Sequence, residues 1–301
     1  MFVIIKLMNI LFLLGLILIG LCMGSFACAS VWRLRAFQLA EDVKAGDITK
    51  LEKAELSRLK KLTNPSLIKD RSMCLDCSYR LQWYDMIPLV SWFLLKGKCR
   101  KCHKKIGFLE PLVEIGVSLF FVLSYVFWPY PIDDFLNIMR LFVWMSAGVG
   151  LAIIFVYDLK WYLIPDKINF TVIGIGLVNV IISLIISNDK YTLLFNIAGS
   201  VFILSGLYYL IYIFSKGKWI GFGDVKLGLG LSLLLVDWKF AFIALFSANL
   251  IGSLITIPAM AIGKLKRSSH VPFGPLLICG LVIAGLFGKY IVDIYQTLIF
   301  I

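Results

Sequence analysis

The sequence predicts an all-α integral membrane protein with about eight transmembrane helices and a small, cysteine-bearing cytoplasmic insert. Hydrophobic residues make up 60% of the 301 residues, only 16% are charged, and the mean hydropathy is +0.90. A soluble domain cannot bury that much apolar surface, so the soluble protein classes are excluded. Long apolar segments recur along the chain, and one polar stretch with four cysteines interrupts them.

The first apolar segment, residues 8–31, resembles a secretory signal peptide because residues 27–29 (Ala-Cys-Ala) are similar to a cleavage site. Its apolar region is too long for a signal peptide, and Arg33 and Arg35 follow it. We therefore predict a first domain, residues 1–31, that is a retained transmembrane helix. Its N-terminus would lie outside and its C-terminus in the cytoplasm.

The second predicted domain is the cytoplasmic insert, residues 32–110, which holds 17 of the 30 Lys and Arg residues. This charge indicates topology and not a nucleic-acid partner, because no base-stacking module accompanies it. Within the insert, "GDITKLEKAELSRLKKLTNP" predicts an amphipathic helix that Asp47 caps and Pro65 ends. The helix is expected either to pack on the cysteine module or to lie on anionic lipid.

Seven further apolar segments form the third predicted domain, a polytopic membrane domain over residues 111–301. They lie near 111–128, 138–157, 168–187, 192–214, 225–237, 239–262 and 272–300. The segment 225–237 is short for a full crossing and is expected to be tilted, locally thinned or partly inserted. With the N-terminus outside, the loops rich in Lys and Arg fall on the cytoplasmic side, as the positive-inside rule requires.

The insert contains two CxxC pairs, "CLDC" and "CRKC", with 21 residues between them. This spacing predicts a tetrahedral four-thiolate zinc site, and hence a zinc-knuckle-like insert. The predicted metal ligands are Cys74, Cys77, Cys99 and Cys102. Zinc would act as a structural staple and supply much of the folding free energy of so small a module. Two disulfides are the weaker alternative, because the predicted topology puts the module in a reducing compartment.

Two carboxylates stand at the ends of apolar segments. Asp158 ends one in "YDLKWYLIPD", and Asp224 begins another in "GFGDVKLGLG". An acid at mid-bilayer costs roughly 2.5–3.5 kcal/mol on insertion scales, so such residues usually have a task. The simple structural alternative for Asp224 is a helix cap, where a negative charge suits the helix dipole. Asp166 is likewise expected to cap the helix that follows it.

Under the predicted topology Asp158 and Asp224 lie at the same cytoplasmic edge of the membrane. Two carboxylates held close together share a proton, so one can activate water while the other donates to a carbonyl. That division of labour is the one used by aspartic proteases. Gly221 and Gly223 would let the backbone of a peptide substrate approach the pair closely.

Several motifs occur in a fixed order along the chain. They are "GSF" (24–26), "CLDCSYRLQWYDMIPLVSWFLLKGKCRKC" (74–102), "PLVE" (111–114), "YDLKWYLIPD" (157–166), "GFGDVKLGLG" (221–230) and "VPFGPLL" (271–277). In these motifs the chain resembles the type IV prepilin peptidases, a family of GxGD-type membrane aspartic proteases. Two features depart from the family pattern: Cys28 stands where many relatives have Asn, and the polar stretch 38–71 is longer than usual.

The resemblance implies that Asp158 and Asp224 are the catalytic pair of an endopeptidase in the bacterial inner membrane. Its partners would be type IV prepilin-like precursors, whose short basic leader stays in the cytoplasm ahead of a hydrophobic helix. Many members also methylate the new N-terminus, which implies S-adenosylmethionine as a cofactor. No glycine-rich nucleotide loop is legible, so no residues are assigned to it.

Two other function classes remain open on the residues alone. A transporter or channel would use Asp158 and Asp224 as ion sites, but it would require further polar residues across the bilayer. A membrane thiol oxidoreductase would use the CxxC pairs, but it would require redox-active cysteines near the outer face.

Overall fold

Helices make up almost all of the described structure. The computed structural model describes residues 2–63, 72–266 and 270–299. Within those ranges the only extended pairings are two isolated antiparallel bridges, so the all-α prediction is confirmed. The α-helices are α1 (Phe2–Ala45), α2 (Lys50–Leu59), α3 (Val90–Leu94), α4 (Leu109–Val126), α5 (Phe135–Trp161), α6 (Asp166–Ile186), α7 (Lys190–Val201), α8 (Leu207–Ser215), α9 (Phe222–Leu235), α10 (Trp238–Ala261) and α11 (Gly274–Ile299).

Seven helical segments in the described ranges are long and apolar enough to cross a membrane. One of them, Lys190–Ser215, consists of α7 and α8 joined by a single π-helical turn, Phe202–Gly206. The short predicted segment 225–237 forms α9, which has only 14 residues. At 1.5 Å per residue α9 is about 21 Å long, short of the ~30 Å hydrocarbon core. The expectation of about eight transmembrane helices therefore becomes seven long helices and one short one.

The short helix α9 can end early because buried side chains bind its last carbonyls. The amide of Asn179 in α6 donates to Leu233 O at 3.1 Å and to Leu234 O at 2.9 Å. Ser200 in α7 donates to Ser232 O at 3.1 Å. The last carbonyls of a helix have no partner within it, and water cannot reach them in lipid. Neighbouring helices therefore supply the cap that water would otherwise provide.

The chain divides into two compact units, residues 1–122 and 123–301. In the first unit α1 and α4 are in backbone contact at two glycines. A Cβ on Gly20 would lie 2.5 Å from the Cα of Ser118, and one on Gly24 would lie 2.5 Å from the Cα of Glu114. The spacing Gly-x-x-x-Gly is the small-residue pattern that lets membrane helices approach closely. The glycine of the "GSF" motif thus has a packing role.

The amphipathic helix of the insert packs on α1 and on the cysteine module, and packing on that module was one of the two predicted alternatives. Leu59 and Leu62 are buried against Ala36 and Leu39 of α1, and Met73 and Leu75 of the cysteine module pack on the same cluster. Salt bridges also join this helix to α1, because the buried Arg35 of α1 contacts Glu55 at 3.0 Å and Glu52 at 3.5 Å.

The predicted cap of this helix is wrong by two residues. Thr49 is the N-cap, and it exchanges hydrogen bonds with Glu52 in a capping box. Asp47 belongs to the end of α1 instead, because its N–H donates to Asp42 O after the positive-φ residue Gly46. The predicted stop at Pro65 lies outside the described residues.

Candidate active site

Asp158 lies in the last turn of α5 and is 5% exposed. Its Oδ2 accepts a hydrogen bond from the backbone N–H of Gly274 at 3.0 Å. Gly274 is the first residue of α11, so the carboxylate also lies at the positive end of that helix dipole. The side chain of Asp158 is therefore held by the N-terminus of a second helix, far away in the sequence.

Asp224 is the third residue of α9. Its Oδ2 accepts a hydrogen bond from the N–H of Gly221, the N-cap residue, at 3.2 Å. The helix-cap alternative is thus observed in the structure, but only one carboxylate oxygen makes the cap. Its other oxygen, Oδ1, takes no part in that interaction and remains a candidate for chemistry.

The two carboxylates lie in the second unit, and the segments that hold them contact the same residue, Ile164. Ile164, in the loop after α5, packs beside both backbone segments that hold them. A Cβ on Gly223 would lie 3.2 Å from the Cβ of Ile164, and a Cβ on Gly274 would lie 3.6 Å from its Cδ1. The loop "YLIPD" therefore acts as the spacer between the segments that carry the pair.

The structure gives Gly223 a packing role in the free protein. Its missing side chain leaves room for Ile164, and its carbonyl accepts a hydrogen bond from the buried Asn169 at 3.1 Å. Gly221 is exposed and holds Asp224, as described above. The close approach of a substrate to these two glycines stays a prediction.

Asp166 does not cap α6 through its side chain. Pro165 is the N-cap residue, and the carboxylate of Asp166 pairs with the ammonium of Lys226. Lys226 also lies over the rings of Phe170 and Phe222, at 5.4 and 5.2 Å from their centres. Because Lys226 is two residues after Asp224, this ion pair ties the start of α6 to the start of α9.

Sequence reasoning missed two residues that shape the site, Gly274 and Asn169, and a third, Tyr208, that is buried with an unpartnered hydroxyl among the described residues. The Gly-Pro pair in "VPFGPLL" was a usable signal for Gly274, since Pro is favoured in the first turn of a helix and Gly permits close approach. Asn169 and Tyr208 carried no signal of their own, because single polar residues inside apolar segments do not reveal which helix they face.

The four predicted metal ligands converge in the first unit. Their sulfur atoms all lie within 4.8 Å of one another, with 3.8 Å between Cys74 and Cys102 and 3.9 Å between Cys77 and Cys99. Four sulfurs at the zinc–thiolate distance of about 2.3 Å in a tetrahedron are about 3.8 Å apart. The donor set and the spacing therefore fit zinc, and all four thiols are free of disulfides.

Both CxxC pairs have the same local fold, which explains how they present their sulfurs. In each, the first cysteine accepts a hydrogen bond from the residue after the second cysteine, and that residue has a positive φ: Ser78 at 57° and His103 at 55°. Asp76, between Cys74 and Cys77, bonds to Lys104 at 3.1 Å. Lys104, with Arg58 beside it, holds the pKa of the Asp76 carboxyl below its usual value.

A crevice of about 380 Å³ opens between the cysteine module and the facing parts of α1 and α4. Four acids and five basic residues line it, together with Trp32. Two of the acids, Asp76 and Asp85, form ion pairs with basic residues of the same lining. The other two are Glu114, whose carboxylate accepts from the N–H of Leu89 at 2.8 Å, and Glu110, whose buried Oε2 has no hydrogen-bond partner among the described residues. The crevice therefore offers these two carboxylates beside an aromatic face.

Comparisons with known proteins place the chain among the type IV leader peptidases. Residues 18–128 match the model for the bacterial Peptidase A24 N-terminal domain, and residues 145–257 match the type IV leader peptidase family. No solved structure matches the chain.

The alignments with three similar proteins cover most of this chain and most of each relative. The type 4 prepilin-like proteins leader peptide-processing enzyme of Escherichia coli O78:H11 is 30% identical over 87% of this chain and 88% of its own. The prepilin leader peptidase/N-methyltransferase of Pseudomonas aeruginosa is 27% identical over 94% and 93%. The protein of the same name from Bacillus subtilis is 28% identical over 76% and 87%.

Proposed function

Since this chain belongs to the type IV leader peptidase family, we propose that it is a membrane aspartic endopeptidase with Asp158 and Asp224 as its catalytic pair. It removes the leader peptide from type IV prepilin-like precursors. The observation that supports the assignment of residues is that each acid is fixed by a backbone N–H and that Ile164 packs against both segments that hold them.

The chemistry follows from one proton shared by two carboxylates. The ionised member accepts a proton from a water molecule, whose oxygen bonds to the scissile carbonyl carbon. The protonated member gives its proton to the carbonyl oxygen, so the tetrahedral intermediate forms without a free charge on that oxygen. When the C–N bond breaks, the leaving nitrogen takes the proton that the first carboxylate gained from water, and the second carboxylate regains the proton it gave to the carbonyl oxygen. A carboxylic acid is released and the pair again shares one proton.

The depth of the pair suits the proposed substrate. Asp158 lies at the end of one apolar helix and Asp224 at the start of another, so the reacting atoms lie near a membrane edge. A precursor cut just before its hydrophobic helix presents its scissile bond at that depth. We propose that this edge is the cytoplasmic face of the bacterial inner membrane, because the adjoining loops carry the Lys and Arg residues.

We propose that Cys74, Cys77, Cys99 and Cys102 hold one zinc ion with a structural role. Four thiolates fill a tetrahedral shell and leave no open position for water or substrate, which is the pattern of structural zinc sites. The ion would fix the two CxxC turns relative to each other, and so shape the crevice that they line.

We propose that the chain also N-methylates the new N-terminus, and that the crevice of the first unit takes S-adenosylmethionine. When bound, this cofactor supplies a methyl group from a positively charged sulfonium. Glu110 and Glu114 would balance that charge, and Trp32 would offer a face to the sulfonium or the adenine ring. The unpartnered oxygen of Glu110 is the observation that supports this fit.

The proposed function is tested by incubating purified protein with a synthetic prepilin-like peptide, with and without S-adenosylmethionine. The masses of the products are then measured by mass spectrometry. We expect leader removal in both samples and one added methyl group on the mature N-terminus only with the cofactor. An intact peptide in both samples would refute the peptidase, and a cleaved but unmethylated product would refute the second activity alone.

A further inference from the structure

A tyrosine near the support of Asp158 is buried, and no described residue forms a hydrogen bond with its hydroxyl group. Tyr208, in α8, is 4% exposed, and its hydroxyl has no hydrogen-bond partner among the described residues. Buried polar groups are nearly always hydrogen-bonded, so an unpaired one requires an explanation. A group that binds only when substrate is present is one such explanation.

The position of Tyr208 relates it to both carboxylates. Tyr208 lies three residues after Ser205, whose hydroxyl donates to the carbonyl of Val225, the residue that follows Asp224. Its ring packs edge-on against Phe273, with ring centres 5.4 Å apart. Phe273 directly precedes Gly274, whose N–H holds Asp158. Tyr208 is therefore adjacent to the supports of both acids.

The π-helical turn Phe202–Gly206 fixes Tyr208 against the helix that carries Asp224. A Cβ on Gly228 of α9 would lie only 1.9 Å from the carbonyl oxygen of Leu204, so the turn and α9 are in backbone contact. The hydroxyl of Ser205 donates to Val225 O at 3.0 Å. Single π turns re-aim the residues after them and are frequent at functional sites. Here the turn sets where the side chain of Tyr208 points.

The competing explanation is a purely structural contact with Asn249 of α10. The side chain of Asn249 lies close to the Tyr208 hydroxyl, but no hydrogen bond of good geometry joins them. The Asn249 nitrogen instead donates to Leu245 O in its own helix at 2.8 Å. The two explanations differ in what they predict for variants of Asn249.

We propose that Tyr208 is a further catalytic residue of the proposed peptidase, whose hydroxyl donates a hydrogen bond to the carbonyl-derived oxygen of the tetrahedral intermediate. As water adds to the carbonyl carbon, one carboxylate gains the water proton and the other gives its proton to the carbonyl oxygen. Tyr208 keeps its own proton throughout and stabilises the partial negative charge that builds up on that oxygen before the proton transfer to it is complete. This role rests on the proposed function of the aspartate pair.

The variant Tyr208→Phe isolates the hydroxyl, because it keeps the ring and its contact with Phe273. We expect kcat for a prepilin-like peptide to fall about 100-fold, the low end for losing one oxyanion donor, while KM changes little. An inhibitor peptide in which a hydroxymethylene group replaces the scissile carbonyl should bind Tyr208→Phe more weakly than wild type by a similar factor. The cleaved product should bind both proteins equally well. Tyr209→Phe, in the exposed neighbouring position, is the matched control and should change neither quantity.

The outcomes separate the two explanations and the two proposals. Unchanged kcat and inhibitor affinity in Tyr208→Phe would overturn the catalytic role. The same would follow if Asn249→Ala reproduced the loss of inhibitor affinity, since the Tyr208–Asn249 contact would then carry the effect. Wild-type protein and Asp224→Asn are assayed alongside: an inactive wild type, or an Asp224→Asn variant of full activity, would count against the peptidase itself and not only against Tyr208. The melting temperature of Tyr208→Phe should stay near that of the wild type, because the removed oxygen has no hydrogen-bond partner among the described residues.

Discussion

Replacing Gly274 by alanine tests how Asp158 is held. A Cβ at this position would lie 2.9 Å from Oδ2 of Asp158 and 3.5 Å from its Cγ, whereas ordinary contacts of a Cβ begin at 3.4 Å. The carboxylate or the start of α11 must therefore shift by about half an ångström. Because a misplacement of about 1 Å costs roughly 10²-fold in rate, we expect Gly274→Ala to lower kcat about tenfold.

The same substitution should affect stability much less than activity. Weakening a hydrogen bond to a charged group costs about 1.5–3 kcal/mol at most, and alanine in place of glycine in a helix returns about 0.5–1 kcal/mol. Peptide cleavage by purified variants, with melting temperatures measured on the same samples, separates the two effects. Gly174→Ala is the control, since a Cβ there would meet no atom within 4 Å. A Gly274→Ala enzyme as fast as Gly174→Ala would refute the role of the Gly274 N–H in placing Asp158.

Three further predictions test the parts around the site. Purified protein should contain about one zinc per chain, and Cys99→Ser should lower the metal content and speed proteolysis of the insert; stoichiometric disulfides in protein from a reducing cytoplasm would contradict the zinc site. Asn179→Leu should lower the free energy of unfolding by about 1–3 kcal/mol, because the carbonyl of Leu234 loses its buried partner; unchanged melting would show that another group caps α9. In intact cells, a cysteine at position 133 should react with an impermeant thiol reagent and one at position 57 should not, and labelling at 57 would reverse the proposed orientation.

Local and periodic features of the fold were predictable from the sequence. The apolar segments became helices because their length and composition leave few alternatives in a membrane. The four cysteine sulfurs cluster as predicted because the CxxC turns bring each pair together locally. The shortness of α9 was visible as well, since its apolar run is too brief to span.

Features that depend on contacts between distant segments were not predictable. Nothing near Asp158 in the sequence shows that the N–H of Gly274 binds it, because the contact joins the end of α5 to the start of α11. The cap at Thr49 was missed for a local reason, since the end of α1 uses Asp47 and only Thr49 has a glutamate three residues later. Tyr208 was not predictable because nothing in the sequence shows that its hydroxyl is buried without a hydrogen-bond partner among the described residues.

The most direct test of the central claim is leader cleavage by Asp158→Asn, Asp224→Asn and the double variant, with product masses and zinc content measured on each purified protein. Because the two carboxyl groups share a proton, neither acid can be replaced by its amide. Each single variant should therefore lose nearly all cleavage, while membrane insertion and zinc content stay normal. The double variant should be scarcely worse than either single one, because residues that act as a unit lose their function together. An Asp224→Asn protein that still cuts at near the wild-type rate would contradict the account and leave that carboxylate as a helix cap only.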